Sequence, residues 1–442
     1  MNGPARIWAR LSATFWFLPA VIVLVAMATA MTLIELSSWQ SSDLSKWSPR
    51  LFGAGADGSR AMLSAIATSM ATVAGVVFSI TIVALSLSST QYSPRVLRNF
   101  MRDRPTQVVL GVFVGIFAYC LIVLRTIRGG DEGGFIPSLA VLGGLGLAFV
   151  GIAVLIFFIH HVAVSIQAST ILHNIGRDTA EAIDRLFPQE LGESAPPSAG
   201  EFRLPEQWHP VPAPRHGYVA SVDTDTLLSA ACECDRLVRL RVSAGAYVSK
   251  GNPLLEVGGD SPPSSDECDR LRGCVDISRQ RTVEQDPGYG LQQLVDVALR
   301  ALSPGINDPT TAAMCVDQMG SLLARLARRH MPEPFRFHDG KLRVIAPAPD
   351  FGVLCDLALR PVVRHARLDL QVIGRVLDAV EGIVEAACTS ERRRGLDGIV
   401  RDLHAELAQV RPRGRARGAV KRLREVAEKI PAVRQGRHIR SR

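Results

Sequence analysis

The stretch from Ala61 to Pro94, AMLSAIATSMATVAGVVFSITIVALSLSSTQYSP, contains no charged side chain. About 20 apolar residues suffice to cross a hydrocarbon core roughly 30 Å thick, so this stretch reads as a membrane span. Working outward, three more charge-free runs appear: Leu11 to Ile34, Pro105 to Leu124 and Gly133 to Ile159. They place spans at about 12–34, 62–88, 107–124 and 137–159, within a membrane region of residues 1–160. Beyond Ile159 charged residues recur every few positions. The 442-residue chain combines a mean hydropathy of +0.17 with 21% charged residues, as expected when apolar and polar parts are segregated along it. The fold class is therefore mixed: an N-terminal four-helix transmembrane region, then a cytoplasmic small β module and an α-helical bundle.

The first run has a second reading, because Arg6 and Arg10, the apolar stretch and Ala28-Thr29-Ala30 together resemble a cleavable signal peptide. Orientation follows from the loop between spans two and three, which holds Arg95, Arg98, Arg102 and Arg104. The positive-inside rule places that loop, and with it both termini, in the cytoplasm of a bacterial inner-membrane, multi-pass protein. Residues 35–59 and 125–136 then lie outside. In the loop, Ser93 caps and Pro94 opens a predicted helix with Arg95, Arg98 and Arg102 on one face, suited to anionic lipid headgroups.

Span two is polar for a membrane helix. Thr68, Thr72, Gly75, Ser79 and Ser86 recur at intervals of three, four or seven, which gathers them near one face. Such residues let helices approach closely and hydrogen-bond across a seam. They would equally line a narrow polar conduit if several copies surrounded an axis, although no intramembrane charge marks a proton relay or ion site.

After the membrane, apolar spacing from Val162 through Ile175 and Ile183 to Leu186 predicts that span four continues as a helical stalk over 161–188, ended by Pro188. His160, His161 and His173 lie on it and are read as packing or interfacial residues. Residues 189–215 form a Pro-rich linker. Short β-like runs then fill 216–260, and their texture resembles a biotinyl or lipoyl carrier, but no lysine stands between Asp223 and Asp235 to take a cofactor. A structural β module is expected, with no cofactor. Helical periodicity dominates 275–410: Leu291, Leu294 and Ala298, then Cys315, Met319 and Leu322, then Ile373, Leu377 and Val380, then Ile399 and Leu403, with a hairpin near 335–346 around Asp339-Gly340. Residues 411–442 form a basic tail with 12 Lys or Arg against Glu425 and Glu428, more than the whole chain's net charge of +8. Close to a bilayer such a tail favours anionic lipid over nucleic acid.

Seven of eight cysteines follow the last span and are expected as free thiols; the spacing of Cys232, Cys234, Cys268 and Cys274 is not that of a zinc ribbon, so no metal is expected. No Walker loop, His-Glu-x-x-His, Gly-x-Ser-x-Gly or dinucleotide fingerprint occurs, so no catalytic residues are assigned and an enzyme is not expected.

The strings FSITIVALS (Phe78–Ser86), STQYSPR (Ser89–Arg95), Arg281-Thr282, Asp286-Pro287 and ALSPGINDPTTA (Ala301–Ala312) carry a resemblance that runs through most of the chain. The sequence resembles a bacterial family of predicted membrane proteins catalogued as domain of unknown function 2254. That resemblance implies a four-span anchor with a cytoplasmic domain and assigns no activity. Within the last string, Ser303, Asn307 and Asp308 supply turn and cap chemistry before Pro309. Two readings stay open for them: a structural junction, or, with Arg281 and Asp286 nearby, an anion pocket at a helix N-terminus. The expected partners are the lipid bilayer, anionic headgroups and further copies of the chain, without nucleic acid.

Overall fold

A computed structural model describes residues 16–39, 55–91, 103–128, 135–187, 204–329, 331, 334–347, 350–366, 369–387, 389–408 and 415–429. The chain divides into two compact units, Met1–Thr170 and Ile171–Arg442.

The first unit holds four helices long and apolar enough to cross a membrane: α1 (Phe17–Trp39), α2 (Ala56–Gln91), α3 (Arg104–Thr126) and α4 (Ser138–Ser165). Neighbouring contacts fix their directions. A Cβ at Gly111 of α3 would come within 2.9 Å of Ile22 Cδ1 and Pro19 Cα, and one at Gly115 within 3.2 Å of Ala26 Cβ, so α1 and α3 run parallel and nearly touch. Gly144 and Gly151 of α4 meet Leu63 and Met70 of α2 in the same order, while Gly143 and Gly151 meet Tyr119 and Ile116 of α3 in reverse. Consecutive helices therefore alternate in direction. Small residues at these crossings allow the close approach that helix pairs in lipid depend on, where apolar surface alone gives no drive to associate. The Tyr119 hydroxyl donates to Ala140 O at 2.7 Å, which satisfies a buried polar group between α3 and α4.

The helical stalk predicted over 161–188 is not continuous with span four. Helix α4 stops at Ser165 and α5 (Ala168–Leu186) begins three residues later. Ser165 Oγ donates back to His161 O at 2.7 Å, the kind of side-chain bond that competes with the helix ladder and bends it. Nor is α5 a free stalk: Ile171, Ile175, Thr179, Ala182 and Ile183 are buried, and a Cβ at Gly290 would fall 2.0 Å from Thr179 Oγ1. Its apolar face belongs to the core of the second unit.

The β module is larger than the 216–260 expected. It comprises β1 (Trp208–Pro212), β2 (Gly217–Val222), α6 (Thr224–Glu233), β3 (Leu237–Leu240), β4 (Tyr247–Val248), β5 (Pro253–Gly258), α7 (Ser265–Gly273) and β6 (Val275–Ser278). The hairpin β7 (Phe335–His338) and β8 (Lys341–Ile345), expected inside the helical domain, adds to it by parallel pairing of β8 with β3. One sheet runs β1-β5-β3-β8-β7 and the other β4-β2-β6. Strand β1 lies in what reads as a linker because Pro210 and Pro212 argue against a strand; it is an edge strand, where a missing N–H costs no ladder bond. The hairpin turn has Asp339 and Gly340 both at positive φ, 50° and 69°, as a two-residue turn demands. Between the sheets Val219, Leu227, Val238, Leu254 and Val257 form a shared core.

The helices are α8 (Pro287–Ala301), α9 (Pro309–Ala327), α10 (Phe351–His365), α11 (Leu370–Ala386), α12 (Ser390–Arg394), α13 (Asp397–Ala408) and α14 (Arg415–Glu428). Each of α8 to α12 starts on an Asp or Thr whose side chain accepts from a backbone N–H of the first turn. Helix α14 lies in the stretch read as a basic tail: its Leu423 and Val426 are buried, and Arg422 bridges Asp378 at 2.7 Å and Glu381 at 2.6 Å on α11. Part of the tail's charge is therefore taken up within the fold.

Candidate functional site

Two clusters of the chain's chemistry can be built from the residues up. The first is the face of α2. Residues Leu63, Ala67, Met70, Ala74, Val77 and Ala84 of that helix are buried against the rest of the first unit. Thr68, Thr72, Gly75, Ser79 and Ser86 are all exposed. At about 100° per residue the two sets are centred roughly 160° apart, on opposite sides of the helix. Within one chain, then, the hydroxyl face is not the packing seam. Thr72 Oγ1 donates to Thr68 O at 2.9 Å, so that hydroxyl is satisfied within its own helix. Nothing lies within 4 Å of a Cβ placed on Gly75. This face is smooth, weakly polar and open to whatever surrounds the helix.

The second cluster is the loop before α8. Arg281 donates through Nε and Nη2 to Asp286 Oδ2, at 2.9 and 2.6 Å, and its guanidinium lies 4.9 Å from the Tyr289 ring centre. Asp286 Oδ1 accepts from Tyr289 N at 3.1 Å, so the same carboxylate caps α8. Burial pushes its carboxyl above the usual carboxylate range, against the opposing pull of Arg281. Gly245, in the turn between β3 and β4, has φ +84°, and a Cβ there would lie 2.0 Å from Asp286 Oδ2. Gln285 Oε1 accepts from Val222 N of β2 at 2.8 Å, and Arg185 of α5 donates to Glu284 O at 3.1 Å. One short loop thus ties β module, α5 and α8 together.

Ser303, Asn307 and Asp308 sit at the other end of α8. That helix of 15 residues is about 22 Å long at 1.5 Å per residue, so Arg281 and the start of α9 do not share a pocket. Asp308 is the cap, accepting from Thr311 N at 3.0 Å and from Thr311 Oγ1 at 2.5 Å. Those bonds hold its carboxyl below the usual range. Asn307 does not cap; it takes a left-handed conformation at φ +49°, and Ser303 Oγ returns to Arg300 O at 2.7 Å. The combined anion pocket is therefore replaced by two separate structural junctions, one at each end of α8.

Arg95, Arg98 and Arg102 lie outside the described residues. Next to them, a pair escaped the sequence reading: Asp103 Oδ2 accepts from Thr106 N to cap α3 and stands 2.8 Å from His161 Nε2 on α4. His161, read as a packing residue, is instead held by a carboxylate and stacked on Phe157 at 5.7 Å. The cap was signalled by Asp103 standing two residues before Pro105. Among the described residues, no group of three or more His, Cys, Asp or Glu is placed to hold a metal ion.

Comparison with known proteins gives this architecture a family. The family described as "Predicted membrane protein (DUF2254)" matches residues 12–382. The chain belongs to that family. An uncharacterized protein of Mycobacterium bovis and one of Mycobacterium tuberculosis strain H37Rv are each 33% identical to it over 446 residues, covering 97% of this chain and 84% of the relative. No solved structure matches. Two of the family strings, Arg281-Thr282 with Asp286-Pro287 and Ala301–Ala312, fall at the two ends of α8. In this DUF2254 protein they fix helix starts. The string Phe78–Ser86 lies on α2 and contains Ser79 and Ser86 of the open face.

Proposed function

We propose that this protein is an oligomer of the bacterial inner membrane in which the hydroxyl faces of α2 from several copies meet and enclose a narrow polar conduit. The observation that carries the reading is the outward turn of Thr68, Thr72, Gly75, Ser79 and Ser86, roughly 160° from the intrachain seam. A purely lipid-facing surface gains nothing from a column of hydroxyl and small residues, whereas a helix–helix seam gains close approach and hydrogen bonds. The second unit, proposed to be cytoplasmic, regulates the conduit, and the assembly performs no catalytic step. Orientation rests on Arg95, Arg98, Arg102 and Arg104. Impermeant thiol labelling in intact cells tests it: Ser42→Cys should react, while Asn99→Cys and Ser198→Cys should not.

Flux through liposomes containing the purified protein tests the conduit. Ion or small-solute flux lost in Thr72→Leu and Ser79→Leu supports it, and an absence of flux under every gradient tried contradicts it. A second reading, a non-conducting scaffold or sensor, draws on the Thr72 hydroxyl being already satisfied by Thr68 O, which suits a dry seam. Self-association without flux would select that reading.

A further inference from the structure

At the C-terminal end of α9 lies a cavity of about 450 Å³ lined by Ser321, Ala324, Arg325, Arg328 and Arg329. We propose that this cavity binds a phosphate-bearing anion. None of its lining residues belongs to the proposed conduit.

A helix C-terminus normally repels anions, because its last carbonyls are unpaired and carry the negative end of the dipole. Here that obstacle is removed. Arg392 of α12 donates to Ala327 O and Arg329 O, so a guanidinium occupies the terminal carbonyls of α9. Arg329 Nη1 in turn donates to Phe187 O at 3.0 Å and Asp184 O at 3.3 Å, which neutralises the end of α5 in the same way. Two helix ends that would oppose an anion are covered by cations.

The charge balance then favours one. The carboxylate ion-paired with this group is Asp184, shared by Arg325 and, at 2.6 Å, Arg329. Capping and that pair account for Arg325, Arg329 and Arg392. They leave Arg328, exposed on the cavity wall and without an ion-pair partner among the described residues. Ser321, one helical turn before Arg325, adds a hydroxyl donor to the same wall. Guanidinium groups present planar, paired N–H donors that match phosphate oxygens, and clustered ones hold a dianion better than a monoanion. The cavity exceeds the size of one phosphate, so the anion is a substituted or condensed phosphate: soluble, or the headgroup of a phosphomonoester lipid.

The test uses the full chain in phosphatidylcholine nanodiscs, with inorganic pyrophosphate as the soluble probe and chloride holding the ionic strength constant. Pyrophosphate should raise the thermal midpoint of the wild type in step with the logarithm of its concentration above Kd. Arg328→Ala, which breaks no described ion pair, should leave the unliganded midpoint unchanged and weaken binding about tenfold or more, as calorimetric titration reads directly. Replacing part of the phosphatidylcholine with phosphatidic acid, without pyrophosphate, distinguishes the sources: a shift there that Arg328→Ala abolishes assigns the site to a lipid headgroup. No shift in either arm, or a shift that Arg328→Ala retains, overturns the proposal.

Discussion

Helix α1 of the first unit and helix α11 of the second are both apolar, yet they use that character in opposite ways. In α1 only Ala30 and Ser37 are buried, and Leu24, Val25 and Met31 are more than half exposed. In α11 eight of 17 residues are buried, among them Ile373, Val376, Leu377 and Val380, while Arg375 and Asp378 look outward. Water drives the apolar residues of α11 inward; a lipid surround would leave those of α1 where they are and make small and hydroxyl positions the places where helices meet. The same residue type therefore has a different value in each unit, and a polar face that would be unremarkable in α11 becomes informative in α2.

The largest expected effect tests that contrast with one substitution made twice. Leu377→Ala, at a site 1% exposed, should cost about 2–5 kcal/mol. Leu24→Ala, at a site 64% exposed, should cost under about 1 kcal/mol, because only lipid contact is lost. Chemical denaturation in detergent micelles measures both, and equal costs would contradict the difference in burial between the two helices.

A smaller effect sharpens the view of the loop before α8. Asp286→Ala removes a cap and leaves Arg281 without its carboxylate, at a cost of about 2–3 kcal/mol. That is near the low end for breaking a buried pair, since Arg281 keeps 30% of its side chain exposed. Gly245→Ala should also destabilise, because a Cβ there meets Asp286 Oδ2 at 2.0 Å. Thermal melts of both variants check this, and an unchanged midpoint for Gly245→Ala would contradict the geometry.

The smallest effects lie at the other end of α8. Asn307→Ala should cost about 1 kcal/mol because of its positive φ, and Asn307→Gly should cost almost nothing. Asp308→Ala should cost about 0.5–2 kcal/mol. Asp308 titrates below the usual carboxylate range, so its stabilisation is present above the unfolded-state value near about pH 4 and is lost as pH falls through the lower folded value. Stability measured against pH should therefore fall less steeply on the acid side in Asp308→Asn than in the wild type.

Much of this was legible from residues alone. Charge-free runs located four helices, although α1 extends to Trp39 rather than Ile34, since hydropathy does not mark where a helix ends. Leu291, Leu294 and Ala298 located α8, and Asp339-Gly340 located the hairpin. The hairpin's membership in the β sheet was not legible, because its pairing with β3 joins residues about 100 positions apart. Nor was the independence of α5: its apolar spacing is the same whether it continues a span or packs on α8 and α9. At the candidate site, the spacing of Thr68, Thr72, Gly75 and Ser79 gave the existence of a face. Which way that face points depended on where α3 and α4 lie, which no local pattern encodes.

The proposed conduit requires that this outward face of α2 meet its counterpart on another copy. Its most direct test is oxidative cross-linking in native membranes, with single cysteines introduced one at a time along 68–86 of a cysteine-free background. Covalent dimers should peak at Thr72→Cys, Gly75→Cys and Ser79→Cys and vanish at Ala74→Cys and Val77→Cys, which face the chain's own helices. Cross-linking that is absent throughout, or uniform along the helix, would contradict it.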